Sequence, residues 1–175
     1  KMVEKGIGCS PNREEAYTIY QKGIKKGDGR SMFFCAMLLK EKRQDPKQMC
    51  KLFKEAADLS ISGAAVELAL CLRDGIGIAE DPVAAVSMLK QLADSNDQAA
   101  MYQYAVCVKN GIGIKKDVQK FRQIMEKGMS SGSIEFRLLY ARSLEAGDGY
   151  DKDKDKAGEI YKELSEAGNP FAQSD

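Results

Sequence analysis

The stretch GAAVELALCLRDGIGIAEDPVAAVSMLKQL, residues 63–92, contains two helical segments joined by a loop rich in glycine. Apolar residues recur at helical spacing in Gly63–Asp74 and again after Asp81. Between the two segments lies Gly75-Ile76-Gly77. Asp81 followed by Pro82 is typical of a helix start, because the carboxylate can cap free backbone N–H groups and proline fits the first turn. The stretch therefore predicts a pair of helices.

The same pattern recurs along the chain with a period of 36 residues, or 33 in one case. Gly-Ile-Gly also occurs at Gly6–Gly8 and Gly111–Gly113, with a variant at Gly147-Asp148-Gly149. Two other markers keep this period, a capping residue (Asn12, Asp45, Asp81, Asp117 and Asp153) and an alanine (Ala36, Ala69, Ala105 and Ala141). A helix pair of this size buries its apolar face only by stacking on its neighbours, so the period predicts a solenoid.

We predict a single solenoid segment over residues 1–175 with no strand. Its repeats are expected at 1–27, 28–60, 61–96, 97–132 and 133–168, with the start of another at 169–175. Helices are predicted at about 13–26, 30–41, 46–59, 63–74, 82–95, 98–110, 118–130, 134–146 and 154–167. The chain has no initiating methionine, so we expect it to be part of a longer protein.

Within each repeat the order of residue types is specific. The third repeat carries Ala64, Leu68, Ala69, Leu72, Gly75, Gly77, Ile78, Asp81 and Ala85. The fourth carries Ala100, Tyr104, Ala105, Val108, Gly111, Gly113, Ile114 and Asp117, with Phe121 in place of the last alanine. This order resembles the Sel-one-like repeat, a relative of the tetratricopeptide repeat. The resemblance implies a right-handed α-α solenoid of antiparallel helix pairs that binds other proteins.

The second repeat departs from this order. Between Leu39 and Asp45 the glycine loop is missing, and Lys40-Glu41-Lys42-Arg43-Gln44 stands in its place. We expect a short loop there and a local change in the curvature of the solenoid.

Composition and motifs favour a chain without catalytic, metal or cofactor chemistry. Lys and Arg total 27 against 26 Asp and Glu, a balance that favours neither nucleic acid nor an anionic membrane surface. No apolar run reaches the ~18 residues that span a bilayer. Histidine, the commonest general base and metal ligand, is absent. Asp151, Asp153 and Asp155 alternate as in a calcium loop, but Lys156 and Lys162 occupy the glycine and glutamate positions. We predict no enzyme activity, no cofactor and no membrane insertion.

The five cysteines are Cys9, Cys35, Cys50, Cys71 and Cys107. Their odd number, the absence of C-x-x-C and their apolar neighbours favour buried, reduced thiols. The sequence also lacks Asn-x-Ser/Thr. We therefore expect a cytoplasmic location, either free or on the cytoskeleton, with the lumen of the endoplasmic reticulum as the minor alternative.

Candidate partner-binding residues lie on the first helices of the repeats, which are expected to line the inner face of a solenoid. They form three rungs: Phe33, Val66 and Tyr102, continued by Leu138; Met37, Leu70 and Val106, continued by Arg142; and Lys40, Arg73 and Lys109, continued by Glu145. The first two rungs predict an apolar strip for a peptide, and the third a positively charged edge. The same side chains could instead pack one helix on the next.

The leading hypothesis is a non-catalytic scaffold or adaptor that binds a protein partner along this face. The first alternative is an architectural component of a large cytoskeletal or flagellar assembly. A lumenal adaptor in protein quality control is a further alternative, which the unpaired cysteines and missing glycosylation sites disfavour.

Overall fold

The computed structural model describes residues 13–167, and within that range it contains helices and no strand. Each predicted helix is present, with ends that differ from the prediction by at most two residues. The helices are α1 Arg13–Ile24, α2 Gly29–Lys42, α3 Pro46–Asp58, α4 Ser62–Asp74, α5 Pro82–Asp94, α6 Gln98–Asn110, α7 Val118–Met129, α8 Ile134–Ala146 and α9 Lys154–Ala167. The predicted features at Gly6–Gly8, Cys9, Asn12 and 169–175 lie outside the described residues.

The chain forms two compact units that divide between Leu92 and Ala93, inside α5. The N-terminal unit contains α1 to α4 and most of α5. The C-terminal unit contains α6 to α9.

The second helix of each repeat from α3 onward begins at the aspartate that the sequence predicted. Each of these carboxylates accepts a hydrogen bond from the backbone N–H three residues further on, at 2.9–3.0 Å. The donor–acceptor pairs are Gln48–Asp45, Ala84–Asp81, Lys120–Asp117 and Lys156–Asp153. Such a cap stabilises a helix by about 1 kcal/mol, so the period of the caps sets the period of the helices.

The first helices end in left-handed caps. In α4, α6 and α8 the cap is Gly75, Gly111 or Gly147, and the N–H of the following residue donates to the carbonyl five positions back. Helix α2 ends with the same hydrogen bond, from Gln44 N to Leu39 O at 3.0 Å, but Arg43 holds the left-handed position with φ 53°. Only residues 43–45 then separate α2 from α3, whereas residues 75–81 separate α4 from α5. The short loop predicted for the second repeat is confirmed.

The core of the N-terminal unit is formed by α1 to α4. The alanine markers Ala36 and Ala69 are fully buried, as is Phe53 of α3. The rings of Phe33 and Phe34 lie side by side, 5.4 Å apart between centroids, and each contacts a different neighbouring helix: Phe34 stacks on Tyr20 of α1 at 5.6 Å, and Phe33 lies 6.1 Å from Phe53 of α3. Phe34 thus joins α2 to the preceding helix, and Phe33 joins it to the following helix.

The core of the C-terminal unit depends on close approach between α7 and α8. Gly128 of α7 lies directly against the ring of Phe136, which is fully buried. Further along, Tyr150 follows the glycine loop and meets Tyr140 and Phe121 edge-on, at 4.9 and 6.0 Å between centroids. Tyr150, the residue after this glycine pair, is half-buried against these rings, whereas Ile78 at the equivalent position of the third repeat is 38% exposed.

Ser143 of α8 is fully buried, and among the described residues its hydroxyl has no hydrogen-bond partner. Cys107 and Cys71, one and two periods earlier, are buried at the equivalent positions. An unsatisfied buried polar group costs about 1–3 kcal/mol. We expect Ser143→Ala to raise the free energy of unfolding by about 1 kcal/mol more than Ser87→Ala, which changes an exposed helical serine. Urea unfolding followed by circular dichroism measures both, and equal effects would contradict the orphaned hydroxyl.

Candidate partner-binding surface

The predicted residues of the N-terminal unit lie on two neighbouring helices, α2 and α4. At one end, a Cβ atom on Gly63 would lie 3.3 Å from Phe33 Cζ. At the other end, Lys40 Nζ lies 2.5 Å from Glu67 Oε2. These two contacts bring the α2 residues Phe33, Met37 and Lys40 alongside the α4 residues Val66, Leu70 and Arg73.

These residues differ in how much surface they offer. Phe33, Met37 and Leu70 are half-buried, and Lys40 is exposed. Val66 is only 6% exposed, so in this structure it serves helix packing and presents little area to a partner. The apolar part of the candidate surface therefore rests on Phe33, Met37 and Leu70.

A first pocket of about 600 Å³ opens where α2 and α4 begin. Its apolar wall consists of Tyr20, Phe33, Phe34 and Ile61. Polar side chains from the two helix starts line the rest of it: Asp28, Arg30, Ser31, Ser60 and Ser62. One predicted residue, Phe33, belongs to this pocket.

A second pocket of about 530 Å³ opens where α2 and α4 end, beside the start of α3. Three of the predicted residues, Lys40, Leu70 and Arg73, line it together. Its other lining residues are Leu39, Arg43, Gln44, Pro46, Met49, Glu67, Cys71, Asp74 and Ile76. The site is thus an apolar cavity with charged groups around it.

The predicted positive edge is largely neutralised by neighbouring carboxylates. Arg73 donates two hydrogen bonds to the Asp74 carboxylate, from Nε at 2.7 Å and from a terminal nitrogen at 2.8 Å. These hydrogen bonds lower the pKa of Asp74. Lys40 is paired with Glu67. Because its charges are paired, this edge can orient a bound ligand through local contacts, but it does not attract ligands over a long range.

In the C-terminal unit the predicted residues are Tyr102, Val106 and Lys109 of α6. Tyr102 is half-buried and meets the Phe136 ring edge-on at 5.8 Å, so part of it serves the α6–α8 contact. Val106 is also half-buried. Lys109 Nζ lies 3.6 Å from Asp148 Oδ2, and Lys116 Nζ lies 2.9 Å from Oδ1 of the same carboxylate. Hydrogen bonding to Lys116 is the main cause that lowers the pKa of Asp148.

The described cysteines are buried, and burial lowers the reactivity of Cys35, Cys50 and Cys71. Burial raises the pKa of Cys71 to about 12, with the nearby Cys50 thiol adding to the effect. Burial also raises the pKa of Cys35 and of Cys50, whose Sγ donates to the Ile76 carbonyl at 3.1 Å. Because the thiolate is the reactive form, these thiols are poor nucleophiles in the folded chain.

Among residues 13–167 no group of three or more metal-binding side chains comes together. Within the same range, no helix is both long and apolar enough to cross a membrane.

Consecutive antiparallel helix pairs with a common period define a helical-repeat protein. The chain belongs to the Sel1 repeat family, whose model matches residues 1–28, 62–97, 98–120 and 137–169. Residues 29–61 and 121–136 lie between the matched regions, and the first of these intervals contains the short α2–α3 loop noted in the sequence. Sel1 repeats generally mediate protein–protein interactions and are generally non-catalytic.

Two of the solved structures that match this chain illustrate the fold. One is a Sel1 repeat protein from Oxalobacter formigenes, 26% identical with a TM-score of 0.70, in a match that covers 98% of this chain and 72% of that one. The other is a protective antigen of uropathogenic Escherichia coli with an SLR fold, 20% identical with a TM-score of 0.73, covering 98% of this chain and 38% of that one. Both are solenoids of Sel1-like repeats, which confirms the predicted fold class. No curated protein matches the sequence.

Sequence reasoning missed several residues of the second pocket, chiefly Arg43, Met49, Glu67 and Ile76. The available signal was the missing glycine loop at residues 40–44. It indicated that this repeat differs from the others, but not which side chains the shorter loop would leave uncovered.

Proposed function

We propose that this chain is a non-catalytic scaffold or adaptor that binds a segment of a partner protein across α2 and α4. The observation that carries the proposal is the pair of pockets at opposite ends of this helix pair, which together are lined by four of the predicted residues: Phe33, Lys40, Leu70 and Arg73. Membership of the Sel1 repeat family supports the same class of function.

The dimensions suit an extended peptide. Phe33 and Lys40 are seven positions apart on one helix, a rise of about 10 Å. An extended chain covers that distance with about three residues. A partner segment with two side chains on one face, two or four positions apart, could therefore place one in each pocket and run over Met37 between them.

Site-specific photo-cross-linking in the cells that produce the protein tests this proposal. A benzophenone amino acid is placed at Phe33, at Leu70, or at Lys54, an exposed position on α3. We expect one protein to be captured from positions 33 and 70 and not from position 54. Equal capture from position 54, or none from the other two, would contradict the proposed surface.

The size of the complex in a native lysate tests the adaptor role separately. An adaptor is expected to exchange between free and bound pools in the cytoplasm. A stable megadalton fraction would contradict it and favour an architectural component instead.

A further inference from the structure

The second pocket lies where the second repeat lacks the glycine loop of the other repeats. In the C-terminal unit, residues 111–117 connect α6 to α7 and carry Lys116 to Asp148. In the N-terminal unit only residues 43–45 connect α2 to α3, so this connection supplies no corresponding stretch of chain over the end of α2. Leu39, Met49, Leu70 and Ile76 then line an open cavity, and Ile76 stays 45% exposed.

The charges around this cavity do not cancel. Lys40 is paired with Glu67 and Arg73 with Asp74. Arg43 also lines the cavity and is exposed, and within residues 13–167 its guanidinium makes no ion pair. An apolar cavity with one unmatched guanidinium complements an apolar side chain that has a carboxylate beside it.

Arg43 also occupies an unfavourable backbone position. It caps α2 with φ 53°, where α4, α6 and α8 have glycine. A side chain in that conformation destabilises the fold relative to glycine. A side chain that lines a pocket from a strained backbone position is a candidate for a role in binding.

We infer that this pocket binds a large apolar side chain of the partner segment, with a neighbouring aspartate or glutamate of that segment held by Arg43. The inference rests on the proposed function and adds the chemistry of the partner at this one pocket. The partner is a peptide with an acidic residue within two positions of a leucine, isoleucine, methionine or phenylalanine.

Selection of random twelve-residue peptides displayed on phage against the immobilised chain tests the inference. The enriched peptides are then synthesised with an amidated C-terminus, so that only side-chain carboxylates remain, and their affinity is measured by fluorescence anisotropy. We expect the enriched peptides to share the apolar–acidic pair, and their affinity to fall when the acid is replaced by its amide.

Three variants of the chain locate the binding site. Arg43→Gly is expected to raise the unfolding midpoint by about 2 °C, because glycine relieves the strained backbone. It is also expected to weaken peptide binding about tenfold, because a charged hydrogen bond to the peptide is lost. Replacing residues 42–44 by GIGIAE, the sequence of residues 75–80, restores the 36-residue period and is expected to abolish binding by filling the pocket. Lys42→Gln removes a neighbouring charge outside the pocket and is expected to leave affinity unchanged.

The inference fails if no peptide is enriched, if the enriched peptides lack the acid, or if the loop replacement leaves binding intact. Equal weakening by Lys42→Gln and Arg43→Gly would also overturn it, because it would indicate general attraction between charges. The proposed function is tested separately, by cross-linking from position 33 in the chain with the replaced loop. If the cellular partner is still captured there, the proposed function holds and only the role of this pocket is excluded.

Discussion

Replacing Gly77 with alanine is expected to lower the free energy of unfolding by about 2–5 kcal/mol. Gly77 is the second glycine of the loop after α4, and its φ is +75°. A Cβ atom there would lie 1.9 Å from the carbonyl oxygen of Pro46 and 2.4 Å from its carbonyl carbon. Both are backbone atoms at the start of α3, so relief requires the loop and α3 to move apart.

Two costs contribute to this loss. The left-handed backbone disfavours any side chain by about 1–2 kcal/mol. The collision with α3 adds the cost of overpacking, about 1–3 kcal/mol. Gly27→Ala separates them, because Gly27 has φ +74° but has no atom within 4 Å of a Cβ. It is expected to destabilise by about 1–2 kcal/mol only.

Urea unfolding measures the total loss, and hydrogen exchange locates it. Stability in a repeat protein is distributed over local units, so the amides of α3 and α4 are expected to lose protection before those of α8. If Gly77→Ala is no more destabilising than Gly27→Ala, then the loop does not rest on the start of α3.

Much of the fold could be predicted because its determinants are local. The aspartate caps and the left-handed caps act within five residues of the chain, and they recur with the repeat, so helix starts and ends follow from spacing alone. The position of the short loop followed in the same way, because the glycines are missing between Leu39 and Asp45.

The candidate site was less predictable because its determinants lie far apart in sequence. Helical spacing placed Lys40, Leu70 and Arg73 on neighbouring rungs, and all three do line one pocket. It did not reveal that Glu67, 27 residues from Lys40, would neutralise that lysine, or that Val66 would be covered. Both outcomes depend on the side chains that adjacent helices bring to the interface.

The contact between Gly128 and Phe136 is another feature that spacing alone did not reveal. At the equivalent pair in the second and third repeats, Ala56 and Ala64 are both fully buried small residues. In the C-terminal unit the equivalent pair is Gly128, which has no side chain, and the much larger Phe136. A repeat can therefore keep its helix spacing while exchanging volume between facing positions, because interiors are filled to nearly constant density.

Phe136→Ala is expected to destabilise the chain by about 3–5 kcal/mol, since it removes a fully buried ring from the contact of α8 with α7. Gly128→Ala alone is also expected to be destabilising, by about 1–3 kcal/mol, because its Cβ would lie 2.2–2.4 Å from three atoms of that ring. In the Phe136→Ala background the sign is expected to reverse. The ring is then gone, so the new methyl group fills part of the cavity and alanine favours the helix over glycine by about 1 kcal/mol.

A double-mutant cycle in urea measures this coupling, which is expected to reach about 2 kcal/mol or more. Gly158→Ala in α9 is the matched control, because a Cβ there meets no atom within 4 Å. It is expected to stabilise the chain by about 0.5–1 kcal/mol in both backgrounds through helix propensity alone. Additive effects of Gly128→Ala and Phe136→Ala would contradict the close approach of α7 to α8. A change of sign at residue 128 alone would establish that the size of the residue at 136 decides which residue α7 can hold there.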